Sequence, residues 1–283
     1  MPHRRASPKL VSSNYFVMSQ FRSNSYRRLK LFIGEATAYA AGSYIAISEV
    51  EEIHGGDSDP DPWSTTGGKH SVKVNGLRTD SLLISTIRLS IVGIYSGFDS
   101  YVDSLKPELL HLKNKGWVQH DGESKIDGIR RNLMIDGEEA AICIQPELAC
   151  LDYYRLVRNA VAHRSDKGFA DASNFYDSQK DKLDEFRSSH KFSEAPNSPS
   201  DLTYHDIKAL ARCALGVAEA VDSQLDPGDE KLADLIPKRH RNAPLKEDRL
   251  NNAAKGWLRN VYGVSEKRAI DILRIACYKE GGL

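Results

Sequence analysis

A chain of 283 residues, 40% hydrophobic and 28% charged, can build one sizeable core or two small domains and has the composition of an ordinary soluble protein. It has no run of eighteen apolar residues, and the basic start "MPHRRASPKL" leads into no signal-peptide core, which predicts a cytoplasmic chain with no membrane partner. The net charge of zero hides a segregation: residues 1–30 hold seven Lys or Arg and no acid, residues 229–283 hold twelve basic and eight acidic residues, and of 39 each that leaves 20 basic against 31 acidic for the body. A basic arm is a common footprint for nucleic acid, and equally a solvated terminus.

In chain order, residues 1–23 read as a basic flexible arm. From Asn24 to Ile53, Leu29, Phe32, Ile33, Ala36, Ala40, Tyr44 and Ile47 recur at helical spacing. "EIHGGDSDPDPWSTTGGKH" is dense in Gly, Pro and Asp and reads as a long loop, with "HSVKVNGLR" as a possible hairpin arm. Thr79 or Asp80 is the expected cap of a second long helix, apolar on most sides and therefore central, ending near Leu105 before Pro107. "IDGIRRNLMID" suits a short helix, and "EEAAICIQ" fits strand or helix equally. Pro146 is well placed to open a long helix through "PELACLDYYRLVRNAVAHR". Residues 165–200 look polar and loop-like, with room for one short helix. Asp201 or Thr203 caps a last core helix to Gln224, "LDPGDE" is a linker, and residues 229–283 read as two or three short helices. The class is all-α: a helical domain over 24–225 with long loop insertions, and a small basic helical extension over 229–283.

Cys143, Cys150, Cys213 and Cys277 form no C-x-x-C pair, and no histidines stand at finger spacing. Free thiols in a reducing compartment are expected, with no metal and no cofactor. No G-x-x-x-x-G-K-[ST] loop is present, since "GGKHS" lacks its first glycine, so nucleotide hydrolysis has no signature here.

The informative stretch is "LVRNAVAHR", Leu156 to Arg164. At 100° per residue Cys150, Tyr154, Val157 and Val161 share one stripe, the expected core face. Arg155, Arg158, Asn159, Ala162 and His163 fall within about 140° of arc on roughly the other side. Arg158 and His163 straddle that face around a small residue, as two groups would if something bound between them. On an arbitrary helix such residues are only solvated surface.

"RNAVAH" resembles the R-x4-6-H signature of the HEPN family, and "SGFDSYVDSL" in the second long helix resembles the family's F-[ED]-x-[YF]-[LV] stretch. The resemblance spans about 25–225. It implies an all-α bundle that pairs two-fold so that two Arg–His sets share one cleft. It also implies a metal-independent endoribonuclease of toxin, abortive-infection or other antiphage systems, or a relative that has lost catalysis. Arg158 and His163 take the catalytic positions and Asn159 the polar position after the arginine. Family toxins paired with nucleotidyltransferase antitoxins often carry a modifiable tyrosine two residues after the histidine. Here Ser165 stands there, so that control is not expected.

The residue chemistry suits the role. Cleaving RNA without metal needs the 2′-OH deprotonated, the phosphorane's charge stabilised and the 5′-oxygen protonated. Imidazole can exchange a proton near neutrality, and guanidinium forks onto two phosphate oxygens. Asn159 is placed to bond the ring or a phosphate, and Arg155 and Arg164 to hold flanking phosphates. The expected partners are RNA, a second copy, and an antitoxin or other defence-system protein. The competing readings are a non-catalytic RNA- or protein-binding module and a plain helical scaffold. His54, His70, His111, His120, His190 and His205 look scattered in loops and polar stretches. Lys238, Arg239, His240 and Arg241 form a basic patch, and Ser265 caps a last helix carrying Ala269, Ile272, Leu273 and Ala276.

Overall fold

The computed structural model describes residues 21–54, 61–133, 144–240 and 247–281. The expected arm up to residue 20, the acid-rich turn 55–60, the ambiguous stretch through Cys143, and Arg241 lie outside them. Every regular element among the described residues is helical. The chain divides into two compact units: Ser23–Pro227, and the C-terminal segment from Gly228 together with Phe21 and Arg22.

The larger unit contains α1 (Asn24–His54), α2 (Pro62–Lys69), α3 (Thr79–Lys113), α4 (Lys125–Leu133), α5 (Gln145–His163), α6 (Asp166–Ser178), α7 (Lys180–Ser189) and α8 (Tyr204–Leu225). Helix α3 is its centre, packed against α1, α4, α5 and α8. It buries Ile87, Ile91, Ile94, Tyr95, Phe98, Tyr101, Val102, Leu105, Leu109 and Leu112, one stripe at spacings of three and four. Among the described residues only α3 is long and apolar enough to cross a membrane by length and composition, and 28% of its apolar window is buried in the bundle.

Several expectations are corrected. Pro107 lies inside α3, which runs on to Lys113 and ends with Asn114 in the left-handed region, φ 53°. A proline inside a helix costs about 3 kcal/mol. Burying Leu109 and Leu112 in the added turns contributes about 3–6 kcal/mol, so packing wins. The N-cap of α3 is Arg78, with no side-chain cap. The Thr79 hydroxyl instead donates to Glu51 and accepts from Trp63 Nε1 at 3.0 Å. Where a loop or hairpin was expected, Asp61 caps α2 by accepting from Ser64 N at 2.9 Å, and Pro62 opens it. Residues 165–200 hold two helices, because Ser165 caps α6 and Ala172, Leu183 and Phe186 anchor the pair in the core. The signal was faint because so few apolar residues carry it.

Thr203 caps α8 in a capping box with Asp206. That carboxylate, fully buried, also accepts from Tyr154 Oη at 2.8 Å, Asn197 N at 2.9 Å and Thr203 N at 2.7 Å. A buried charge with this many donors is stabilised in place, and it locks α5 to α8.

The smaller unit contains α9 (Asp229–Leu235), a 3₁₀ turn at Lys238–His240, α10 (Glu247–Tyr262) and α11 (Glu266–Gly281). Leu232, Ile236, Leu258 and Ile272 form its core, Phe21 stacks on Tyr262, and Arg268 bonds Asp229 at 2.7 Å. Ser265 caps α11, as expected, by accepting from Arg268 N at 3.2 Å.

Candidate functional site

Pro146 sits in the first turn of α5, where its missing N–H leaves no helical bond unmade. Cys150, Tyr154 and Val157 are buried as the stripe requires, and Val161 is half-buried at its end. The helix stops at His163. Arg164 turns left-handed at φ 47°, its N–H bonding back to Ala160 and Val161, and Ser165 then starts α6 by accepting from Gly168 N at 3.1 Å. A Cβ on Gly168 would lie 3.0 Å from Ala160 Cα, so this sharp corner depends on the glycine. Ala162, His163 and Arg164 stand exposed on the corner. Neither His163 nor Arg164 makes a side-chain hydrogen bond or ion pair among the described residues.

The arginines are less open than the helical wheel suggests. Arg158 NH1 donates to Asn159 Oδ1 at 3.0 Å, its NH2 lies 3.7 Å from Asp99 Oδ2, and its Nε is buried with no partner. Arg155 is paired with Asp152 at 3.1 Å, and Asp152 also meets Arg130 at 3.5 Å. Asn159 therefore serves the guanidinium and not the histidine ring, and Arg155 faces a carboxylate where a flanking phosphate was expected. Of the supporting arginines, Arg164 alone has no ion-pair partner among the described residues.

Asp99 joins the two sequence signatures. In "FDSY", Phe98 and Tyr101 are core residues of α3, which fixes Asp99 on the flank toward α5. Burial holds its carboxyl above the usual carboxylate range, against the opposing pull of Lys125 and Arg158. Lys125 Nζ bonds both the Asp99 carbonyl, at 2.9 Å, and the Asp103 carboxylate, at 2.7 Å. One turn earlier on α3, the Tyr95 hydroxyl is buried without a partner, and burial pushes its phenol far up. Sequence alone marked "FDSY" as a family likeness; that its acid faces Arg158 is a tertiary fact.

A second polar cluster went unread. His190, at the end of α7, places Nε2 2.8 Å from Glu147 Oε1 on α5, and its Nδ1 accepts from Arg212 Nε on α8 at 3.2 Å. The Arg212 bond requires an unprotonated Nδ1, which puts the proton on Nε2 toward Glu147. Glu147 Oε2 is buried with no partner. Three distant segments meet here, so no spacing could announce it. Cys150 and Cys213 are free and buried, and burial beside Cys213 pushes the Cys150 thiol well up, which makes it a poor nucleophile. Among the described residues no group of three or more His, Cys, Asp or Glu could hold a metal ion.

No protein-family model matches this chain, and no curated protein or solved structure does either.

Proposed function

We propose that the protein is a HEPN-type, metal-independent endoribonuclease, acting in the cytoplasm as a toxin or antiphage effector, with a cleft built from the Arg158–His163 sets of two copies. One observation carries the reading. Arg158, Asn159 and His163 occupy the open end of one helix, and the acid of the second motif, Asp99, backs the arginine at 3.7 Å. A backed guanidinium is oriented before substrate arrives, which is the arrangement that favours a phosphorane's charge. His163 supplies the proton exchange. A single chain places one histidine on this corner, and the reaction needs both a proton acceptor and a donor, which a second copy provides. Products end in a 2′,3′-cyclic phosphate and a 5′-OH, and DNA, lacking the 2′-OH, is not cut.

The second reading is a non-catalytic RNA- or protein-binding module. It is favoured by the engagement of Arg158 with Asp99 and Asn159, which leaves less of the guanidinium for a phosphate. The experiment that separates them is incubation of purified protein with mixed cellular RNA in EDTA beside His163→Ala and Arg158→Ala. The nuclease reading expects cleavage by wild type alone, with cyclic-phosphate ends. Binding without cleavage, weakened in both variants, supports the module.

A further inference from the structure

Arg88 and Asp99 stand within about 20° of each other around the α3 axis and about 16 Å apart along it. Each takes hold of the chain that bears the candidate histidine. Asp99 meets Arg158 of α5 at 3.7 Å, and Arg88 places its guanidinium carbon 5.1 Å from the centre of the Phe169 ring of α6. The segment from Arg158 to Phe169 is therefore anchored at both ends on one face of α3, and His163 lies between the anchors in the chain. The corner itself is stiff. Ser165 N donates to the Ala160 carbonyl at 3.1 Å, Phe169 N donates to the Ser165 carbonyl at 3.0 Å, and Gly168 N donates to Ser165 Oγ at 3.1 Å.

Arg88 has no counter-charge. Its side chain makes no ion pair and no hydrogen bond among the described residues, and its Nε is buried without a partner. The other arginines along this face are neutralised: Arg130 and Arg155 meet Asp152, and Arg158 meets Asp99 and Asn159. A half-buried cation with nothing to accept its donors is costly, and an apolar side chain could pack on Phe169 without that cost. Stacking occupies the flat face of the guanidinium and leaves its in-plane N–H groups free. Those groups form the fork that matches two oxygens of one phosphate.

We infer that Arg88, clamped on Phe169, grips a backbone phosphate of the RNA strand outside the scissile step and so sets where along the strand His163 acts. Arg155, committed to Asp152, leaves the role of holding a flanking phosphate open, and Arg88 fills it beside Arg164. Phe169 is the positioning residue: it fixes the guanidinium to the corner that carries the histidine, so the distance from grip to cut is built into the chain. The ligand rests on the ribonuclease reading. The free, clamped cation does not, and it belongs to a single copy of the chain.

The test is a binding titration of the full chain carrying His163→Ala, which holds RNA uncut, with a fluorescent single-stranded oligoribonucleotide over a range of salt. On a single strand the slope of log affinity against log salt changes by about 0.7 for each phosphate neutralised. Adding Arg88→Gln weakens binding about tenfold and makes the slope shallower by about 0.7. Arg88→Lys keeps the charge, and so keeps the slope, but loses part of the affinity with the fork and the stack. Phe169→Leu removes the clamp and leaves the guanidinium, so it weakens binding by less and leaves the slope alone. Lys106→Gln, on the same helix but already paired with Asp103 at 3.2 Å, changes neither. With His163 restored, Arg88→Gln raises KM about tenfold at nearly unchanged kcat, since the contact is made equally before and during reaction. An unchanged salt slope in Arg88→Gln overturns the assignment even if affinity falls, because a merely structural loss does not alter the number of phosphates held. If RNA is cut and the slope stays, the ribonuclease reading stands and the grip fails. If the slope shifts and no chain cuts, the grip stands and the ribonuclease reading fails. A chain that binds no RNA sinks both.

Discussion

The two ends of α5 hold comparable sets of polar groups in opposite conditions. At the C-terminal end, Arg158, Asn159 and His163 sit within six residues, and the histidine is exposed and unbonded. At the N-terminal end, Glu147 is bonded to His190 at the end of α7, which in turn accepts from Arg212 of α8, and both histidine nitrogens are in use. An imidazole with both nitrogens bonded holds a structure together. One with both free can exchange protons with a ligand. The difference predicts that chemistry belongs to the C-terminal end and stability to the N-terminal end.

The largest expected effect breaks the comparison outright if it fails. Under the ribonuclease reading, His163→Ala and Arg158→Ala should each lower RNA cleavage in EDTA by about 10²–10⁴-fold while thermal unfolding stays near wild type for His163→Ala. His190→Ala should do the reverse: cleavage per folded molecule is retained, and unfolding free energy drops by about 1–3 kcal/mol, the cost of leaving the half-buried Glu147 carboxylate unbonded. Cleavage rates and denaturant midpoints measured on the same three variants decide it. If His190→Ala loses cleavage without losing stability, the roles of the two ends are misassigned.

A second test sharpens the stability side. Asp206→Ala strands Tyr154 Oη, Asn197 N and Thr203 N, all of which now donate to the carboxylate. Removing one partner of a buried charged network costs about 3–5 kcal/mol. Tyr154→Phe removes one of those bonds and should cost about 1 kcal/mol. Urea titration reads both, and equal losses would mean that the network is not centred on Asp206.

What could be read from the sequence follows the same division. The α5 core stripe, Pro146 in its first turn, the Thr203 and Ser265 caps and the α4 helix were legible because each is local: a period, a cap or a fixed φ decides it. The course of α3 past Pro107 was not, since the gain from Leu109 and Leu112 exists only once the other helices are in place. Residues 166–189 were read as room for one short helix where there are two, because three buried side chains, Ala172, Leu183 and Phe186, are too few to show a period. Within the site, the Arg–Asn–His set was legible by spacing, whereas the pairing of Arg158 with Asp99 spans 59 positions and no local rule reaches it.

The smallest effect concerns that pairing. The Asp99 carboxyl is held above its usual range by burial, so the folded state binds its proton more tightly than the unfolded state does. Its contribution to stability is therefore fully present below the ordinary carboxylate pKa and is lost as pH rises through the raised one. Asp99→Asn removes the ionisation, so unfolding midpoints of wild type and variant should draw together at acid pH and separate above it, with the variant the more stable by under about 1 kcal/mol. Under the ribonuclease reading the same variant loses the group that orients Arg158. Cleavage then falls through kcat, by about tenfold, with KM little changed. Asp99→Glu, which keeps the charge at longer reach, restores part of the rate. A variant that gains stability and keeps its rate would show Asp99 to be only a neighbour of Arg158. One that gains stability and loses rate would show a helix end where function is kept at a cost to the fold, the reverse of the Glu147–His190 end.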